Sequence, residues 1–77
     1  MTEHDARAVA ELISAVVGAT LTDMRLSGAS RERMQRYVET VSNAIEGAGS
    51  DDQLRETFRP HLALVAQIIP QSTDGKR

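Results

Sequence analysis

The chain has 77 residues, no cysteine, and 9 basic against 11 acidic side chains, for a net charge of −2. That length supports one small domain, disulfide bracing is excluded, and the near-balanced charge argues against a partner held mainly by phosphate neutralisation. Two histidines, His4 and His61, are too few to close a metal site, and no cofactor is expected.

Apolar residues make up 40% of the chain, ten of them alanine, with one Phe, one Tyr and no Trp. The first block spans Glu3 to Leu26. Val9, Leu12, Ile13, Val16, Val17, Thr20 and Met24 keep the three-to-four spacing of one buried helix face. Thr2 is the expected N-cap, with Glu3 and Asp5 in the first turn, where the helix dipole favours negative charge. A second stripe of small residues, Ala8, Ala15, Gly18, Ala19 and Thr22, suits an interhelical seam. Gly18, followed by the box-like Thr20-Leu21-Thr22-Asp23, leaves open a break into two helices, although one long helix is the favoured reading.

Ser27-Gly28-Ala29-Ser30 ends this block, with Gly28 as a left-handed C-terminal residue and Ser30 as the next N-cap. The second helix runs from Arg31 to about Glu46 and carries Met34, Tyr37, Val38, Val41, Ala44, Ile45 and Ala48 on one face. Gly47-Ala48-Gly49 stops it. Ser50-Asp51-Asp52-Gln53 reads as a capping box that starts a third helix at Asp51. Its face is Leu54, Phe58, His61, Leu62, Val65 and Ile68 or Ile69. Pro60 is expected to kink it or restart it.

Pro70 closes the segment, leaving residues 71–77 as a polar tail expected to be disordered. Loops of about four residues make neighbouring helices antiparallel. The expected fold is therefore all-α: an up-down-up bundle of three helices over residues 1–70, or four helices if the first breaks near Gly18.

Two surfaces are candidates for contact. Arg31, Arg33 and Arg36 crowd the start of the second helix, where positive charge opposes the dipole. Together with Tyr37 they form a candidate site for a partner's carboxylates, a phosphate or a nucleotide. The plainer reading is a solvated face with a Glu32–Arg36 surface pair. On the third helix, His61, Leu62, Leu64, Val65, Ile68 and Ile69 are the candidate oligomer interface, because Leu64 and Ile68 point away from the stripe of Leu62, Val65 and Ile69. His61 is otherwise expected to bond a backbone carbonyl, and Tyr37 and Phe58 to fill core.

Gly28-Ala29-Ser30 followed by Arg31-Glu32-Arg33-Met34-Gln35-Arg36-Tyr37-Val38 resembles the turn and recognition helix of the helix-turn-helix in many bacterial repressors. Gly28 would be the turn glycine, and Met34 and Tyr37 the inward positions. The likeness departs upstream, where Met24 replaces a small residue and Ser27 an apolar one. It implies DNA binding as an alternative function.

Catalysis finds little support. The chain has no Gly-rich phosphate loop, no Gly-x-Ser-x-Gly and no His-Glu-x-x-His pattern. The polar, acidic start Met1-Thr2-Glu3-His4-Asp5 is unlike a signal peptide, and no apolar run is long enough to span a membrane, so the cytoplasm is the expected location. The expected function is that of a small non-enzymatic interaction protein, of the kind bacteria and phages use as regulators, inhibitors or adaptors. It would act as a homo-oligomer that binds an acidic surface on another protein. A nucleotide or similar anion held between subunits is a further alternative.

Overall fold

The computed structural model describes residues 2–47 and 51–70. Three helices account for most of them: α1 (Glu3–Leu26), α2 (Arg31–Gly47) and α3 (Asp52–Val65), the last extended by a 3-10 turn at Ala66–Ile68. The described residues contain no strand. The expected all-α, up-down-up bundle is what forms, and the helices pack against one another.

Local chemistry explains the ends. The Thr2 hydroxyl accepts the Asp5 N–H at 3.1 Å, and the Ser30 hydroxyl accepts the Arg33 N–H at 3.1 Å. Each satisfies a helix donor that has no partner one turn earlier. Gly28 has a φ of 82°, a left-handed conformation that a Cβ would strain. Its N–H donates to the Arg25 carbonyl while the Ala29 N–H reaches back to the Met24 carbonyl at 2.9 Å. That pair of bonds is the Schellman arrangement, and it turns the chain sharply from α1 into α2.

At the third start, Asp51 is the N-cap rather than the first helical residue, so the helix begins one position later than the sequence suggests. The Asp51 carboxylate accepts the Gln53 N–H at 2.8 Å, and this bond lowers its pKa. The expected roles of Ala48, Gly49 and Ser50, and the tail at 71–77, lie outside the described residues.

α1 is continuous through Gly18. α3 is likewise continuous through Pro60, with no restart there. The Pro60 ring supplies no N–H for the carbonyl one turn back. One residue later, the His61 Nδ1–H donates to the Thr57 carbonyl at 2.9 Å, as expected for this histidine.

The core has two layers. Val17, Leu21, Met34 and Ile69 form the first, upper layer; Ala10, Leu54 and Phe58 form the second, lower one. Half-buried Ile13 and Val41 touch both layers and join them. α2 contributes Met34 to the first layer and Ile45 to the second, so it runs antiparallel to α1 along the bundle. α3 runs parallel to α1, since Ala10 meets Leu54 and Phe58 whereas Gly18 meets Val65 and Ile68.

The buried face of α1 differs from the expected stripe. Ala6, Ala10, Ser14, Val17 and Leu21 are buried, whereas Leu12 is 68% and Val16 57% exposed. The expected small-residue seam is also displaced: Ala8, Ala15, Ala19 and Thr22 face outward, and only Gly18 of that set packs against a helix. The true seam is the row Ala6, Ala10, Ser14, Gly18, one residue per turn. Small side chains let two helix axes approach closely. Accordingly α3 packs more intimately against α1 than α2 does.

Two positions in this seam are poorly optimised. The Ser14 hydroxyl is buried without a hydrogen-bond partner, and a Cβ on Gly18 would sit at an ordinary 3.7 Å from Val65 Cγ1 and Ile68 Cδ1. Ser14→Ala and Gly18→Ala are each expected to stabilise the bundle by about 1 kcal/mol. Thermal denaturation of the two variants checks this; a fall in Tm for either would show that the seam has no room for the change.

Candidate functional site

The arginine cluster divides once α2 is wound. Arg33, Arg36, Tyr37 and Thr40 occur at i, i+3, i+4 and i+7, so they share the side of α2 next to α1. With Thr20 and Met24 of α1 they line an open groove of about 430 Å³. Arg31 lies on the opposite flank, where it borders a separate groove of about 380 Å³ with Gln35, Val38, Glu39, Ala66, Ile69 and Pro70. The fold therefore brings together Arg33, Arg36 and Tyr37 and excludes Arg31.

Electrostatics separates them too. Arg31 lies 3.9 Å from Glu32, while the expected Glu32–Arg36 pair is absent among the described residues. Two cations of α3 are committed to the bundle, whereas Arg7 and Arg25 of α1, like Arg33 and Arg36, make no ion pair among the described residues. Arg59 of α3 clamps Glu46 of α2 through two bonds of 2.9 and 3.0 Å, which lowers the pKa of the Glu46 carboxyl. Arg55 pairs with Asp52. Arg33 and Arg36 are exposed, and among the described residues neither side chain makes an ion pair or hydrogen bond.

Two guanidinium groups with free donors beside a half-buried phenol ring are suited to holding carboxylates or another anion. Thr20, Met24 and Thr40 complete the groove and were not apparent as site residues from the sequence. Winding α2 as a helix would have grouped Thr40 with the arginines. The α1 contribution depends on how the two helices pack.

The third-helix set is largely core. Ile69 is buried in the upper layer, Val65 and Ile68 pack against that layer, and Leu62 packs against the lower one. Ile68 does not point outward as expected, because it lies against Gly18. His61 is half-buried and bonded to its own helix. Leu64, 64% exposed, is the one member of the six that faces solvent.

The likeness to a helix-turn-helix stays local. In that motif the two helices meet at about 90–120°. Here α2 lies alongside α1 through both core layers, as an antiparallel hairpin. Among the described residues no cluster of His, Asp and Glu could hold a metal ion, and no helix is long and apolar enough to cross a membrane. Compared with known protein families, characterised proteins and solved structures, the chain matches none.

Proposed function

We propose that the chain is a small non-enzymatic interaction protein that binds an acidic stretch of another protein in the groove between α1 and α2. The observation that supports this reading is the convergence of Arg33 and Arg36, with no anionic partner among the described residues, on one groove beside Tyr37. Placing two like charges at the N-terminal turns of α2 opposes its dipole. That small destabilisation is offset when carboxylates dock between the guanidinium groups.

The test is a titration of the labelled protein with a flexible peptide of glycine, serine and glutamate, followed by NMR. Resonances of Arg33, Arg36 and Tyr37 should move, and the response should weaken with salt, because the charges are solvent-facing. The double variant Arg33→Ala, Arg36→Ala should lose the response while keeping its stability within about 0.5 kcal/mol, as exposed changes do. An unchanged affinity in that variant would return both arginines to the role of a solvated face. Tighter binding of duplex DNA than of the acidic peptide would instead favour a nucleic-acid partner.

A further inference from the structure

The groove does not end at Thr20. Leu12, Val16 and Thr20 stand one turn apart on α1, the Thr20 hydroxyl donates to the Val16 carbonyl at 3.0 Å, and Thr20 itself lines the groove, so the row runs into it. Leu12 and Val16 are 68% and 57% exposed, two of the four exposed large apolar residues among those described. This row is an i, i+4, i+8 ridge about 12 Å long that leads into the cationic groove. On α1 its surroundings are mostly small and carry one charge: Ala8, Ala15 and Ala19 are exposed, and Glu11, beside Leu12, is the one charge between Arg7 and Asp23.

An apolar ridge continuous with a pair of free guanidinium groups is a surface of mixed character, and it specifies a partner of matching mixed character. Extending the acidic-partner reading on which it rests, we infer that the occupant is an amphipathic helix of another protein. It lies along Leu12 and Val16, with its acidic end at Arg33 and Arg36. The ridge has helical spacing, so apolar side chains at i and i+4 of the partner interleave with Leu12 and Val16, and flanking alanines permit close approach. Charge sets the direction. Eight residues of α1, about 12 Å, separate Leu12 from Thr20 at the edge of the cationic groove, which puts the partner's carboxylates at least about eight residues from its first apolar anchor. Leucine, valine and arginine thus each select one property of the ligand: spacing, apolarity and anionic end.

The experiment uses a synthetic helical peptide of about 18 residues with leucines at i and i+4 and glutamates near i+8 and i+11. Two controls accompany it: the same peptide with lysine for glutamate, and a glycine-interrupted version with the same acidic residues. Binding is followed by NMR and isothermal titration. The expected result is movement of Leu12, Val16, Arg33 and Arg36 together, with the helical acidic peptide binding at least about tenfold tighter than either control. Val16→Gln, and separately Leu12→Gln, should lower affinity for the helical peptide about tenfold while leaving the flexible acidic peptide's affinity unchanged. Both positions are exposed, and circular dichroism checks that the variants stay folded.

If the interrupted acidic peptide binds as well as the helical one and moves only Arg33, Arg36 and Tyr37, the helix inference fails while the acidic-partner reading stands. If no acidic peptide moves Arg33 or Arg36, both fail. If the mass in solution rises with protein concentration and Leu12→Gln prevents the rise, a second copy of the chain covers the ridge, and the inference is overturned in favour of self-association.

Discussion

Phe58→Ala is expected to remove a large share of the stability of the fold. Phe58 is 1% exposed and is the one aromatic side chain of the lower core layer. It packs there with Ala10 and Leu54, and half-buried Val9, Ile13, Val41, Ile45 and Leu62 surround that layer, so its ring joins all three helices. Removing such a ring costs about 3–5 kcal/mol, from lost transfer free energy plus the cavity left behind. A domain of this size holds roughly 4–12 kcal/mol in total. The loss therefore takes from about a third of the margin to all of it. Urea denaturation followed by far-UV circular dichroism measures it. A loss below about 1 kcal/mol would show that neighbouring side chains collapse into the space, against the cavity cost assumed for a well-packed layer.

Ala10→Leu should be nearly as damaging, although it adds apolar surface. Ala10 is fully buried against Leu54 and Phe58, in the seam where α1 and α3 approach most closely. Three extra carbons there force the helices apart or the leucine off its rotamers, at about 1–3 kcal/mol or more. Ala63→Leu is the control. Ala63 is exposed on α3, and the same change there should alter stability by no more than about 0.5 kcal/mol. Equal melting temperatures for the two variants would contradict the close seam.

The same packing places the interaction surface. With small residues turned toward α3, the larger Leu12 and Val16 are left on the outside of α1, beside the groove that Arg33, Arg36 and Tyr37 form with Thr20 and Met24. Core and candidate site are two consequences of one choice of helix face.

Local interactions determined the boundaries. Thr2, Gly28, Ser30 and Asp51 act within four residues of themselves, through caps and a left-handed turn, so the sequence carried three helices, their approximate limits and their order. Short-range spacing was also enough to find the apolar face of α2 and most of that of α3, though not that Ile68 turns inward against Gly18. α1 was different. Between Arg7 and Asp23 it has one charge, so apolar residues surround it and its amphipathic signal is weak. The stripe of larger side chains through Leu12 and Val16 competes with the row Ala6, Ala10, Ser14, Gly18. What decided between them was the gain from a close α1–α3 approach, a contact between segments some 45 residues apart that no local pattern encodes. That tertiary choice also brought Thr20 and Met24 of α1 beside Arg33 and Arg36 and drew Ile68 and Ile69 into the core, because the surroundings of each side chain depend on which neighbouring helix its own helix meets.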